Sequence, residues 1–358
     1  MINRFNSYLR ESNANGISLK YMALDWDDNI LHMSTLIHMD KLVDGRWVPQ
    51  DVSTSEFAIV RKDADWRIRD GDPNKAFCEF RDTGPRGEMA FIDDTISAID
   101  NGDFGPSWNA FINYLSKGTV FSIITARGHE PQTIRKAVEY IIDNVLDDDQ
   151  KHNLYSHCLK FAYIFGSDYD SYDRIPKGAL SKTDLIDDYL STCEYYGVSS
   201  QYCINRFGLG DTSNPEIGKE MAMKEFTEKV YSFGQKIGAK VSLGFSDDDI
   251  KNVKHIQKIF KDELSLKYLM NYIIYDTSDR SIKGGIKTRV HVHENQSSIG
   301  NGSSTWGMDN SVIPFTKWNN MTQNLHTKNI NTDRYTNQFN NKIGQIKDLT
   351  DIKIKKKE

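Results

Sequence analysis

A chain of 358 residues, 38% of them hydrophobic, is long enough to bury a full core, as one domain with insertions or as two smaller domains. Its 45 basic and 50 acidic residues leave a formal charge of -5, which argues against a chain-wide nucleic-acid footprint and leaves only a local patch open. Four cysteines (Cys78, Cys158, Cys193 and Cys203) without a CxxC pair predict neither a disulfide scaffold nor a thiolate zinc site.

No apolar run approaches ~18 residues, and the opening MINRFNSYLRESNANG lacks the continuous apolar core of a signal peptide. The expectation is a soluble, cytoplasmic protein with no membrane partner. In chain order, the first fold signal is Tyr21-Met22-Ala23-Leu24, an apolar run that stops at Asp25. Such runs read as buried strands of a parallel sheet. A second follows at residues 118–125 (GTVFSIIT) and a third at 239–244 (AKVSLG). Each leads into a helical pattern. After the second, Pro131 opens a stretch with Ile134, Ala137, Val138, Ile141, Ile142 and Val145 on one face. After the third, Ile250, Val253, Ile256, Ile259 and Phe260 make an apolar stripe. Strand, turn and helix recurring in this way predict an α/β fold, a Rossmann-like core with a mostly parallel sheet.

Roughly ninety residues separate the first two strands, far more than a usual βα connection. DGRWVP, STSEFAIV and DADWRIRDGDP suggest turns around extended pieces, so 31–115 is expected to be an inserted, cap-like module. The catalytic core then comprises 18–30 and 116–275, with a possible second insertion at 146–217 that holds a short helix near Lys182–Tyr189. From 276 to 358 an Asn-rich extension is expected, opening with a possible strand in which Val290, His291, Val292 and His293 alternate. The rest reads as a loosely draped tail. Trp306, Phe315 and Trp318 are its exceptions, aromatic residues suited to docking on the body or to self-association through the extension.

The chemistry collects at three strand ends, where open parallel sheets bind ligands. The first reads ALDWDDN, so Asp25 and Asp27 lie two apart and share a side of an extended tip. The third reads GFSDDD and brings Asp247, Asp248 and Asp249. Carboxylates held together repel, and a divalent cation relieves that repulsion; an oxygen-only set suits Mg²⁺. The second strand ends IITARG, where the Thr125 hydroxyl and the turn's N–H groups can hold an anion, with Arg127 and His129 close behind. A cation site, an anion site and a nucleophilic aspartate together describe phosphoryl transfer through an acyl phosphate.

These residues resemble the haloacid-dehalogenase-like (HAD) superfamily of phosphatases. Asp25 and Asp27 match its first DxD motif, Thr125 the strand-end hydroxyl of its second, and Asp247 with Asp248 the acidic pair of its fourth. The resemblance spans about Tyr21 to Glu263 and names no subfamily. It implies that Asp25 is the nucleophile, Asp27 the general acid and base, and Asp25, Asp27, Asp247 and Asp248 the surroundings of Mg²⁺. Its third motif is a lysine that neutralises nucleophile and phosphate. Lys219 is the first choice and Lys224 the second, with Lys177 and Lys182 also open. Asn29 stands where family members commonly carry Thr or Val, and its amide is assigned, with Arg127, to substrate binding.

The resulting expectation is a Mg²⁺-dependent phosphohydrolase acting on a small phosphomonoester. Two alternatives stand beside it: an inactive HAD-like scaffold used in assembly or binding, and a nucleotide or nucleic-acid-end phosphatase. His291 and His293 lack a third ligand in the sequence, and Gly84–Gly87 does not match a phosphate loop. The terminal Lys355–Lys357 run reads as a solvated tail, with nucleic-acid contact a minor alternative.

Overall fold

The computed structural model describes residues 18–165, 182–210, 214–282 and 284–293. Within these, the strands are β1 (Ser18–Leu24), β2 (Ile37–Val43), β3 (Arg46–Val52), β4 (Trp66–Ile68), β5 (Phe121–Thr125), β6 (Glu194–Gly197), β7 (Lys240–Asp247), β8 (Asn271–Asp279) and β9 (Ile286–His293). The chain is an α/β protein whose main sheet has the order β6-β5-β1-β7-β8-β9. Its first five strands pair in parallel, and β9 closes the edge antiparallel to β8.

The apolar runs sit at the centre of this sheet because both of its faces are covered. All of β5, Tyr21–Leu24 of β1 and Val241–Asp247 of β7 are buried. Tyr21 points to one face, where its ring meets Phe226 of the helix Pro215–Ile237 at 6.4 Å. Met22 points to the other face, beside its register partner Phe121. Phe121 packs there against Phe111 of the helix Trp108–Ser116 and Tyr189 of the helix Lys182–Thr192. On that face Met22 lies across Gly244, where an added Cβ would come within 2.3 Å of the Met22 sulfur. A side chain at 244 would push the two central strands apart.

The chain runs from β1 to β5 and β6 in one direction, then crosses back to β7 and β8 on the other side of β1. Connections that diverge in this way open a crevice at the carboxyl ends of the strands, here between β1 and β7. The long crossing helix is fixed at both ends. Asn214 caps its start by accepting from the Glu216 N–H at 3.0 Å, Pro215 fills its first position, and Gly238 ends it in a left-handed conformation.

The helices expected after β5 and β7 form at Pro131–Asn144 and Ile250–Ile259, and both bury the anticipated stripes apart from Val145, half-buried just past the first helix, and Ile250, which is exposed. The expected boundaries shift more. The interval 31–115 is only partly an insertion, because Phe91 and Ala98 of the helix Met89–Asn101, with Phe111 and Leu115, belong to the main core. The interval 146–217 carries β6, the edge strand of the main sheet, and its Leu154, Leu185 and Tyr189 join the same core. A boundary at 276 cuts through β8, and β9 beyond it also belongs to the sheet.

The inserted part is smaller. β2 pairs antiparallel with β3 and β4, and the β2–β3 hairpin turns on Asp44-Gly45, both at positive φ. Its core has three fully buried apolar residues, Ile37, Met39 and Val52, against which Phe57, Phe77 and Phe80 pack. Among the described residues, no helix is long and apolar enough to cross a membrane. The expected tail, with Trp306, Phe315, Trp318 and Lys355–Lys357, lies outside the described residues, as does Lys177.

Candidate active site

The crevice between β1 and β7 gathers the acidic strand ends. Trp26 is fully buried against Phe91 and Phe111, so the residues on either side of it, Asp25 and Asp27, turn the other way, toward the rim. The Asp25 N–H donates to the Ser246 carbonyl at 3.0 Å, which extends the β1–β7 pairing to the first aspartate. Oxygens of Asp25, Asp247 and Asp248 all lie within 4.8 Å of one another. Lys219, in the second turn of the crossing helix, is buried between two of them, 3.0 Å from Asp25 Oδ1 and 2.7 Å from Asp247 Oδ2.

Three carboxylates face one buried ammonium, with the partly exposed Arg280 guanidinium reaching Asp248 alone among them, and this leaves an excess of negative charge. Burial raises Asp25 well above the usual carboxylate range; Lys219 opposes the rise, and Asp247, Asp248 and Asp27 reinforce it. Asp248 is pushed up to about 7 by burial and by the charges of Asp247 and Asp28. Burial works against the charged form of Lys219, but Asp247 and Asp25 outweigh it and hold the ammonium well above its ordinary value. Asp247 is also braced by the Asp249 N–H at 2.9 Å and by the Asn252 amide. Asp25 Oδ1 faces the lysine yet accepts no hydrogen bond. A donor set made only of oxygens, carrying surplus negative charge and a buried oxygen without a hydrogen bond, fits a hard divalent cation such as Mg²⁺.

Thr125 lies at the same rim, and its hydroxyl donates to Asp27 Oδ2 at 3.3 Å. Three predicted roles need correction. Asp27 is not among the converging carboxylates, because Arg127 holds both its oxygens, with Nε at 3.0 and 2.8 Å and Nη2 at 2.7 Å. Arg127 itself is buried, donates to the Thr35 hydroxyl and lies over the rings of Phe80 and Phe91. It positions Asp27; its remaining nitrogen, Nη1, has no hydrogen-bond partner but is buried, so the guanidinium is not exposed to a substrate.

Asn29 is likewise not exposed to a ligand. Its amide nitrogen donates to the Asp25 carbonyl at 2.8 Å and to the Ser246 hydroxyl at 3.0 Å, while its oxygen accepts from Ser107 and Thr277. The fully buried side chain ties the loop after β1 to β7, to β8 and to the start of the helix Trp108–Ser116. A Thr or Val lacks the two-ended amide that this junction needs.

Of the other lysines, Lys224 pairs with Glu220 and Glu263 instead, and Lys182 opens the helix Lys182–Thr192. Two contributors were missed by the sequence reading. Arg280, just after β8, reaches Asp248 Oδ2 at 2.8 Å and Asp28 Oδ2 at 3.0 Å. Asp28, at positive φ in the tight loop after β1, also binds His32 at 2.8 Å and Thr54 of the small module at 2.9 Å. Burial raises Asp28, but these hydrogen bonds and the Arg280 charge outweigh it and hold its carboxyl below the usual range. His129, fully buried, is held by Asp82 at 2.7 Å as part of the strap that packs on the loop after β5. His291 and His293 join no metal-ligating cluster among the described residues.

The fold and the crevice therefore define an α/β protein with an acidic cluster at its topological switch point. Compared with known proteins, the chain matches no family model, no curated protein and no solved structure.

Proposed function

We propose that the protein is a HAD-like, Mg²⁺-dependent phosphohydrolase acting on phosphomonoesters. The carrying observation is the convergence of Asp25, Asp247 and Asp248 around buried Lys219 at the β1/β7 crevice, with Thr125 on the same rim. These residues come from four separated stretches of chain, the ends of β1, β5 and β7 and the second turn of the crossing helix, and their order along the chain is that of the HAD motifs. Asp25, Asp247 and Asp248 would hold Mg²⁺, which supplies neutralising charge between the nucleophile and the phosphoryl oxygens.

In this reading an Asp25 oxygen attacks phosphorus while the bond to the leaving oxygen breaks, and Asp27 gives that oxygen a proton. Asp27 then takes a proton from water as the water attacks the aspartyl phosphate. The phosphorus–Asp25 bond breaks, and inorganic phosphate and the free carboxylate return. Thr125 donates a hydrogen bond to a phosphoryl oxygen, and Lys219 offsets part of the burial and like-charge cost of ionising Asp25, the rest of which falls to the cation. The small module between Leu31 and Glu88 begins within a few residues of the nucleophile, so it is the part assigned to substrate selection. Small phosphoesters, nucleotides and phosphorylated nucleic-acid ends share this chemistry and are separated by assay.

A second reading, a scaffold that retains the fold without turnover, is favoured by one observation. Both oxygens of Asp27 are committed to Arg127, so one must be released before Asp27 can transfer a proton. The test is turnover of an aryl phosphate, then of sugar phosphates, nucleotides and 3′- and 5′-phosphorylated oligonucleotides, with Mg²⁺ and with EDTA. The enzyme reading expects EDTA-sensitive turnover that disappears in Asp25→Asn and falls about 10²–10⁴-fold in Asp27→Asn. No wild-type turnover across the panel, or equal rates in wild type and Asp25→Asn, would leave the scaffold.

A further inference from the structure

A second group of metal-ligating side chains lies in the small module and shares no residue with the crevice. A ring nitrogen of His38, Cys78 Sγ and a carboxylate oxygen of Glu79 all lie within 4.8 Å of one another. His38 is on β2, between Ile37 and Met39, whose side chains form the module's core. Cys78 and Glu79 belong to one short turn of 3₁₀ helix, Cys78–Phe80.

Three features set this group apart from a chance meeting of polar residues. His38 Nδ1 lies 3.0 Å from Asp51 Oδ1, its cross-strand partner, and Asp51 is itself anchored by Arg69 at 2.7 Å. A carboxylate this close to Nδ1 favours the proton there and leaves the lone pair on Nε2, the tautomer that second-shell carboxylates select for histidine ligands in metal sites. Glu79 Oε2 is buried and accepts no hydrogen bond; Arg86 is 3.6 Å away. Cys78 is a free thiol, half-buried beside Glu79.

We propose that His38, Cys78 and Glu79 bind a Zn²⁺-class ion that acts as a structural staple for the small module. Nitrogen, thiolate and carboxylate together select a borderline ion and disfavour Mg²⁺, so the two clusters differ in the metal they take. On binding, Cys78 releases its proton to solvent, and thiolate and carboxylate balance the two positive charges. A water fills the fourth tetrahedral position. The module has reason to need the staple, since three buried side chains are a small core for a three-stranded sheet. The staple also steadies the next residue, Phe80. Its ring lies 4.4 Å from the Arg127 guanidinium, and its carbonyl accepts from the Gly128 N–H at 2.7 Å.

This inference stands apart from the phosphohydrolase reading and is tested without turnover. The full chain, stripped with chelator, is titrated with Co²⁺ in excess Mg²⁺ and followed by absorbance, after which Zn²⁺ is added. The expected result is one Co²⁺ per chain with a thiolate-to-cobalt charge-transfer band that Zn²⁺ abolishes. Cys78→Ser removes the band although Cys158, Cys193 and Cys203 remain. Asp51→Asn weakens Co²⁺ binding about 10–100-fold through the histidine it orients. Glu79→Gln, a near-isosteric change, weakens binding as well and gives a readout should Cys78→Ser not fold. A wild type without the band, a band that survives Cys78→Ser, or affinity unchanged in both Asp51→Asn and Glu79→Gln overturns the proposal.

Discussion

In the main sheet the central strands are buried along nearly their whole length, whereas in β3 of the small module Arg46–Asp51 are exposed and Val52 alone is covered. The module is fastened by charge where the sheet is fastened by apolar packing. Asp40 on β2 is buried and receives Arg67 at 3.1 Å, Arg69 at 2.9 Å and the Asp70 N–H at 2.9 Å. The difference matters for function. A dense apolar body can hold carboxylates such as Asp25 and Asp247 out of water at fixed distances. A thin, charge-laced module can reshape around a ligand at small cost, as regions of low local stability do.

Truncation of the core should give the largest effect. Phe245 on β7 is fully buried next to the strand end that carries Asp247. Phe245→Ala should cost about 3–5 kcal/mol, read as a lower denaturant midpoint. It should also lower metal affinity, because the cavity lets β7 relax toward the crevice. A loss under about 1 kcal/mol would mean that the sheet is not the stable half of the comparison.

Asp40→Ala tests the other half. It removes the shared partner of Arg67 and Arg69, but both guanidinium groups are partly exposed and can turn to water. The expected cost is about 1–3 kcal/mol and is confined to the module. Hydrogen exchange should therefore speed up in β2, β3 and β4 and stay unchanged in β5 and β7. A uniform loss of protection in both sheets would show that they unfold as one unit, and the contrast drawn above would fail.

The same contrast explains what could be read from the sequence. Asp25, Thr125 and Asp247 were legible because a continuous apolar run marks a central strand, and the residue that ends it must lie at the rim. The family resemblance picked Lys219 out of several candidates; spacing alone did not. Residues that act through distant partners stayed hidden. Nothing near Asp27 signals that Arg127, from the loop after β5, will grip both its oxygens, and Arg280 lies beyond the point where the core was expected to end. β6 was missed because four residues, EYYG, flanked by polar helices, carry too little pattern to mark an edge strand. Asn29 read as a ligand group because its loop was visible and its four buried partners were not. Cys78 reads as an ordinary thiol, and it is free; its neighbour His38 lies forty residues away in sequence and meets it only through the fold.

The smallest effect is a pH slope, and its sign sets Asp25 and Asp248 apart. Glu56, Asp70 and Asp82 of the module move down, stabilised in the charged form by Ser53, by Lys75 and, against burial, by His129 with its neighbours respectively, and Asp28 beside the crevice does the same. In the crevice Asp248 moves up to about 7. Between its ordinary value of 3.8 and about 7, the folded protein keeps a proton on Asp248 that the unfolded chain has released. Stability from this group is therefore greatest at the acid end and falls as pH rises, by at most about 1.4 kcal/mol per pH unit. Urea midpoints measured in EDTA from about pH 5 to pH 7 should decline more in wild type than in Asp248→Asn, which has no proton to lose. The difference between the two proteins reports Asp248 together with the part of the Asp25 shift that the Asp248 charge causes. Excess Mg²⁺ should flatten or reverse the slope, because the ion takes the place of the proton among Asp25, Asp247 and Asp248 and binds better as they ionise. Parallel pH curves for wild type and Asp248→Asn would mean that Arg280 alone neutralises the site, and the case for a cation there would lose its electrostatic ground.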